Sequence, residues 1–284
     1  MKVLVIGASG MLGNAMFRTF AADDRFKVTG TVRSASSRRW FDEALHERIM
    51  PGVEVEQADS LAGAFRMVKP DVVINCVGVV KQLVAADDPL ITLPINALLP
   101  HRLAALSDIA GARLVQISTD CVFSGSRGGY VESDFPDADD LYGRSKLLGE
   151  VDYPHAITLR TSIIGHELGG ARSLLNWFLA QQGPVKGFTK AVFSGLPTVT
   201  LAELVRDIVV PRADLHGLYH VAAAPIAKYD LLKLVADIYA KDIEILPSEA
   251  LVIDRSLDAS RFQAATGFAA PAWPELIAQM RQFN

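Results

Sequence analysis

Tyr142 and Lys146 stand four residues apart in LYGRSK, a spacing that puts both on one face of a helix. Free tyrosine has a pKa of about 10, too high for fast proton exchange near neutrality. A neighbouring ammonium favours the phenolate and lowers that value. A tyrosine tuned in this way protonates a carbonyl oxygen while a hydride arrives at the carbon. The lysine can also hold ribose hydroxyls of a cofactor. Either Asp139 or Asp140 is placed to cap the start of this helix. The pair is a short motif, and its weight comes from its position after the segments described next.

Upstream, ISTDCVFSG (Ile117–Gly125) ends an apolar run in hydroxyl, carboxylate and thiol: Ser118, Thr119, Asp120 and Cys121. Three chemistries compete for it. A nucleophile at Cys121 lacks a histidine in the segment to activate it, and a metal at Asp120 lacks companion ligands. A polar shelf for chemistry supplied elsewhere needs neither. The histidines His155, His166, His216 and His220 show no metal-ligand spacing with Cys or acids, and no metal is expected.

VLVIGASGMLG sets Gly7, Gly10 and Gly13 between an apolar run and an amphipathic stretch. One glycine permits a tight turn, one lets backbone N–H groups approach a pyrophosphate, and one lets the following helix pack on the sheet. The helix N-terminus then faces the phosphates. Gly7, Ser9, Gly10, Met11, Leu12 and Gly13 are therefore the expected dinucleotide cradle. The second apolar run ends in TGTVRSASSRR. A carboxylate for a ribose 2′-hydroxyl is usual at that point, but Arg33 and Ser34 stand there. Arginine suits a 2′-phosphate, so NADP(H) is expected in preference to NAD(H). Asp59, with Ser60 after it, follows the third strand candidate and is either an adenine contact, as a resemblance to the short-chain dehydrogenase/reductases implies, or a helix N-cap. Cys76, Val77 and Gly78 follow the fourth strand candidate in INCVG, where a resemblance to the short-chain dehydrogenase/reductases implies backbone running past the cofactor.

These residues need a scaffold. Apolar runs at Val3–Ile6, Val28–Val32, Val53–Val55, Val72–Val77 and Leu114–Ile117 alternate with helical spacing at Leu12–Ala22, Arg38–Ile49, Leu61–Val68 and Ile95–Ile109. That alternation predicts an α/β fold, a doubly wound parallel sheet of the Rossmann type covered on both faces. Ile157–Ile164 and Gly217–Val221 are candidates to extend it. After Gly165, Gly and Pro punctuate shorter elements, with helical stretches at Ala202–Val209, Tyr229–Ala240 and Pro274–Gln282. The expected division is a dinucleotide-binding domain over 1–165 and a small α/β substrate lobe over 166–284, with a returning sheet strand near 217–221. Trp177 and Phe178 read as core or interface.

The chain has 284 residues, half of them hydrophobic and 21% charged, with a formal net charge of −4. That balance suits a soluble protein with a sizeable core and carries no basic footprint for nucleic acid. Two cysteines, Cys76 and Cys121, exclude a disulfide framework and suit a reducing compartment. The opening MKVLVI is too short for a signal peptide, and no apolar run reaches membrane-spanning length. A cytoplasmic protein with no membrane partner is expected.

The G-x-x-G-x-x-G spacing resembles the extended short-chain dehydrogenase/reductases. STDCVFSG, then Tyr130, Glu132 and Asp134 in Y-x-E-x-D, then YGRSKLLGE and LRTSIIG, narrow the resemblance to the dTDP-4-dehydrorhamnose reductase family. SGLPT (Ser194–Thr198), LAELVRDIV (Leu201–Val209) and RSLDASRF (Arg255–Phe262) extend it over nearly the whole chain. The resemblance implies reduction of the 4-keto group of a nucleotide-linked 4-keto-6-deoxy sugar, in deoxysugar supply for surface polysaccharide. It implies catalytic roles for Thr119, Tyr142 and Lys146, substrate contact at Asp120, a supporting or structural role for Asn96, and a homodimer.

Three substrate-facing positions depart from the family. Cys121 replaces the usual tyrosine, Ile163 replaces a common aromatic, and Pro184–Gly195 lacks polar character. A UDP-linked sugar is thus as plausible as a dTDP-linked one. Lys186 and Arg255 are candidates for its diphosphate or else ordinary surface charges, and His166–Glu167 are candidates to line the cleft. Related enzymes epimerise or dehydrate instead, but 4,6-dehydratases carry an acid pair beside the threonine, and residue 121 is cysteine. A non-catalytic dinucleotide-binding subunit is the other alternative, for which a proton donor would be superfluous.

Overall fold

The alternation is realised in the computed structural model, which describes residues 1–81 and 84–284. Its strands are β1 (Lys2–Ile6), β2 (Lys27–Val32), β3 (Ile49–Pro51), β4 (Val72–Asn75), β5 (Arg113–Thr119), β6 (Ala156–Thr161), β7 (Ile163–Ile164), β8 (Val185–Phe193), β9 (Leu196–Pro197), β10 (Gly217–His220), β11 (Ile226–Ala227) and β12 (Ile245–Asp254). The α-helices are α1 (Met11–Ala21), α2 (Ala58–Val68), α3 (Pro89–Thr92), α4 (Leu99–Ala110), α5 (Leu141–Leu148), α6 (Leu174–Ala180), α7 (Thr198–Leu204), α8 (Lys228–Tyr239), α9 (Ser260–Thr266) and α10 (Trp273–Gln282).

Among the described residues, seven strands form one sheet in the order β10-β6-β5-β4-β1-β2-β3. The pairs β1–β2, β1–β4, β2–β3 and β4–β5 are parallel. The chain winds outward from β1 in one direction through β2 and β3, and in the other through β4, β5 and β6. That reversal opens a crevice beyond the carboxyl ends of β1 and β4, where ligands bind in open α/β sheets. Residues of β4 and β6 are buried throughout, as expected of a sheet covered on both faces. Leu4, Ile6 and Val73 of the sheet pack with Leu61 and Phe65 of α2 and with Leu99 and Leu103 of α4.

Some elements differ from the sequence expectation. The third strand is Ile49–Pro51, paired with Gly30–Val32, and not Val53–Val55. Val53 still joins the core, but just beyond the strand, where its N–H reaches Val32 O at 3.2 Å. The helix expected over Arg38–Ile49 is two 3-10 turns, Ala35–Trp40 and Glu43–Arg48. No residue of either turn is buried, so no apolar stripe holds a longer helix together. The stretch Ile95–Ile109 begins in a π-helical turn, Leu93–Leu98, before α4. Ile157–Ile164 breaks at Ser162 into β6 and β7.

The chain divides into two compact units. The first comprises Met1–Ser118, Asp140–Leu159 and Ala202–Leu218, and the second Thr119–Asp139, Arg160–Leu201 and Tyr219–Asn284. These units are discontinuous in sequence, and β10 (Gly217–His220) is the strand that returns to the large sheet. The second unit holds a three-stranded sheet, β11-β8-β12, whose two long strands have no counterpart in the sequence reading. β12 runs parallel to β8 and β11 antiparallel to it.

Candidate active site

In the first unit the glycine turn follows β1. Gly7 adopts φ +85°, and a Cβ there would lie 2.5 Å from Val77 Cγ2. A Cβ on Gly13 would lie 2.0 Å from Gly7 O, so α1 passes directly against the turn. Gly10 N–H donates to Gly7 O at 3.0 Å, and Gly7 N–H to Thr31 Oγ1 at 3.1 Å. Gly10 is the N-cap of α1 and no side chain caps that helix. Its first amides are therefore left for a ligand or solvent. Ser9 and Met11 are half-buried beside the exposed Gly10, and Leu12 is buried. Both the tight turn and the open helix end fit the diphosphate of a dinucleotide.

Arg33 and Ser34 follow β2 and are exposed. Among the described residues Arg33 makes no hydrogen bond or ion pair. Ser34 caps the next turn by accepting from Ser36 N–H at 3.3 Å. Asp59 is exposed in the first turn of α2, but the N-cap is Gln57, so the capping alternative for Asp59 falls away. Ser60 Oγ accepts from Glu54 N–H at 2.9 Å. After β4, Cys76 N–H donates to Ile6 O at 3.0 Å and Val77 N–H to Asn75 Oδ1 at 3.1 Å, which holds this backbone beside the glycine turn. Gly78 is exposed, and a Cβ on it would stand 4.0 Å from Lys146 Nζ.

Asp140, rather than Asp139, caps α5, accepting from Gly143 N–H at 2.7 Å. Its other oxygen receives Lys81 Nζ at 2.6 Å. Tyr142 is half-buried one turn before Lys146. Lys146 is buried, and its ammonium donates to Ile117 O at 2.8 Å. Burial holds its pKa down at about 8, against the upward pull of Glu150 and Cys76. Asn96, in the π-helical turn, donates to Val79 O at 3.0 Å and to Ser145 Oγ at 3.2 Å, and accepts from Val79 N–H at 2.8 Å. Both its amide hydrogens are thus committed to joining the loop after β4 to α5.

In the second unit Thr119 and Asp120 are buried. Thr119 Oγ1 donates to Asp120 Oδ1 at 3.1 Å and accepts from Cys121 N–H at 3.2 Å. Burial raises the Asp120 pKa, opposed by hydrogen bonds from Cys121, Thr119 and Ser162 and by the charge of Arg255. The Cys121 thiol is pushed up to about 12, first by burial and then by Asp120. Burial does the same to Cys76, also to about 12. Neither thiol is a ready nucleophile at neutral pH. Arg255 Nε donates to Phe123 O at 2.7 Å, immediately after the turn that carries Asp120 and Cys121.

Ile163 is half-buried on β7, paired with Leu196. Lys186 is exposed on β8 and has no hydrogen-bond or ion-pair partner among the described residues. His166 Nε2 meets Tyr239 Oη at 2.9 Å, and Glu167 accepts from Arg172 N–H at 3.1 Å. Phe178 is fully buried, while Trp177 is partly exposed. The Y-x-E-x-D residues serve architecture. Tyr130 stacks on Phe123 with ring centres 4.1 Å apart, Glu132 accepts from His220 N–H at 2.8 Å, and Asp134 accepts from Val131 N–H at 2.8 Å.

One residue escaped the sequence reading. Lys228 opens α8 and is half-buried; its pKa is lowered by burial and pulled back by Asp120 and Cys121. The sequence offered only a weak signal, a lysine one position before the helical stretch expected from Tyr229. Among the described residues no group of three or more His, Cys, Asp and Glu could hold a metal ion, and no helix is long and apolar enough to cross a membrane.

The sequence profile of the RmlD substrate binding domain matches residues 1–282. The chain belongs to this family. Membership in the RmlD family makes it an oxidoreductase of the short-chain dehydrogenase/reductase class. Its similarity to a probable low-salt glycan biosynthesis reductase of Haloferax volcanii is 26% identity, over 99% of this chain and 97% of that protein. It is 27% identical to methionine adenosyltransferase 2 subunit beta of Danio rerio, over 88% of this chain and 76% of that one. The crystal structure of dTDP-4-dehydrorhamnose reductase from Bacillus anthracis in complex with NADP superposes with a TM-score of 0.81 at 19% identity, covering 100% of this chain and 99% of that chain. That likeness establishes the Rossmann fold.

Proposed function

We propose that the protein reduces the 4-keto group of a nucleotide-linked 4-keto-6-deoxy sugar, dTDP- or UDP-linked, with NADPH in preference to NADH. The observation that carries this reading is Lys146, buried and cationic one helical turn after Tyr142, in a chain of the RmlD family. A nicotinamide dinucleotide held by Gly7, Gly10, Gly13 and the backbone of Cys76–Gly78 would supply hydride to the carbonyl carbon. Tyr142 gives its phenolic proton to the carbonyl oxygen, and the Lys146 charge favours the phenolate left behind.

Thr119 donates a second hydrogen bond to that oxygen. In the ligand-free arrangement its proton is turned to Asp120. Burial favours the protonated form of Asp120, which can donate to the Thr119 oxygen and so leave the Thr119 hydrogen for the carbonyl. The preference for NADPH is supported by Arg33, exposed and uncommitted just beyond β2. A homodimer, as the family resemblance implies, and a cytoplasmic location, as the cysteine usage suits, are part of the same proposal.

The test is NADPH oxidation by the purified chain with enzymatically generated dTDP- and UDP-4-keto-6-deoxy sugars. Turnover that collapses in Tyr142→Phe supports the reading. Tight dinucleotide binding without turnover on any such sugar would overturn it in favour of a non-catalytic dinucleotide-binding subunit; the Danio rerio relative is named as a subunit.

A further inference from the structure

Lys228 takes no part in the chemistry above, yet its setting is unusual for a lysine. Its side chain is half-buried, and among the described residues its ammonium has no hydrogen-bond or ion-pair partner. A cation drawn from water without a partner is an electrostatic cost, and burial accordingly depresses its pKa. Such a cost is retained where a ligand supplies the missing charge.

The register of the second unit's sheet says what shares that setting. Ala227 of β11 and Asp254 of β12 both pair with Val192 of β8 and form one rung across the three strands. Lys228 follows Ala227 directly as the first residue of α8, and Arg255 follows Asp254 directly at the end of β12, so both cations flank this one rung. Both also stand close enough to the buried Asp120 to interact with its carboxylate.

Arg255 is presented in a matching way. Its Nε is anchored on Phe123 O, while its two terminal nitrogens make no hydrogen bond among the described residues. The carboxylate that both cations feel, Asp120, is already engaged by Thr119 and Ser162, and burial opposes its ionisation. Even with Asp120 ionised the cluster carries a net positive charge. It suits an anion with several oxygens, which a guanidinium fork and an ammonium grip together.

We propose that Lys228 is a substrate-binding residue that, with Arg255, grips the diphosphate of the substrate. The assignment rests on the nucleotide-sugar reading above. It also gives Lys228 a role that sequence spacing could not, since β12 and α8 come together only in the folded unit.

Titration calorimetry of the full chain, saturated with NADPH to occupy the glycine turn, tests this with three probes: inorganic pyrophosphate, dTDP and UDP. A charged hydrogen bond contributes about 1.5–3 kcal/mol, so Lys228→Ala and Lys228→Met should weaken binding of pyrophosphate and of the favoured nucleotide by roughly 10- to 100-fold. Lys228→Arg should keep most of the affinity. NADPH affinity should be unchanged, and the Tm of ligand-free Lys228→Met should be equal to or above wild type. Wild-type affinity for all probes in Lys228→Ala overturns the assignment and leaves the reductase reading standing. A loss of Tm and of NADPH affinity in Lys228→Met also overturns it, since the lysine would then be architectural. Lys228-dependent binding of pyrophosphate, with neither nucleotide bound, supports the anion grip and overturns the nucleotide-sugar reading instead. No binding of any probe by the wild type overturns the proposal.

Discussion

The ammonium of Lys146 donates to the carbonyl of Ile117 at 2.8 Å, which ties the middle of α5 to the strand that ends at Thr119. The bond fixes where the charge stands but does not repay its burial, and the pKa falls to about 8. The ordinary value is 10.5. Between those two values the unfolded chain binds the extra proton, so the Lys146 contribution to stability rises with pH across that window. Below about pH 8 both states carry the charge and the penalty is fully present. Lys146→Met should therefore be more stable than wild type by roughly 3 kcal/mol near neutrality, with the difference vanishing toward pH 10.5. Urea melts of both proteins over that range check it. The catalytic rate should fall above about pH 8 as Lys146 loses its charge, and Lys146→Met should be inactive throughout.

Tyr142→Phe removes the proposed proton donor and keeps the ring at its half-buried position. General acid catalysis contributes about 100- to 10,000-fold, and kcat should drop by that order. Tyr142 is also expected to touch the cofactor, so dinucleotide affinity should fall by about tenfold at most, as for one lost hydrogen bond. Steady-state kinetics beside fluorescence titration of NADPH separate the two effects.

Gly13→Ala would force a methyl to within 2.0 Å of Gly7 O. The obstacle is backbone, so α1 must move away from the turn. A destabilisation of about 1–3 kcal/mol is expected, read as a lower Tm, together with loss of dinucleotide binding. Retention of full NADPH affinity in this variant would count against the glycine turn as the diphosphate site.

Arg33→Ala should weaken NADPH about 10- to 100-fold and leave NADH nearly unchanged, as expected for loss of a charged hydrogen bond to a 2′-phosphate. Equal loss for both cofactors would indicate a contact with the adenine instead. The comparison needs only binding titrations with the two dinucleotides.

Asn96→Leu should cost about 2–4 kcal/mol, because it strands both the N–H and the C=O of the buried Val79 and removes a donor to Ser145 Oγ. Chemical denaturation measures the loss.

Local features were legible in the sequence. β1, the glycine turn and α1 follow one another without interruption, so strand period, turn chemistry and helix period all act within one short stretch. The same holds for the cap–tyrosine–lysine segment of α5, where only the choice between Asp139 and Asp140 stayed open. The third strand was misplaced because Ile49–Pro51 and Val53–Val55 are both short and apolar, and only pairing with β2 decides between them. β12 was invisible for a related reason. ILPSEALVID carries a proline and acidic residues, and most of it remains exposed. It becomes a strand because β8 offers it an edge.

The sequence by itself determined the class of fold, the dinucleotide turn and the residues with acid–base chemistry, because each depends on neighbours a few positions away. Tertiary structure decided what those residues experience. Burial, not sequence, depresses Lys146, raises Asp120 and disarms Cys121 as a nucleophile. It also brought Lys228 and Arg255 to either side of one sheet rung, through hydrogen bonds between strands far apart in the chain. Desolvation and strand register are properties of the packed chain, and no local spacing encodes them.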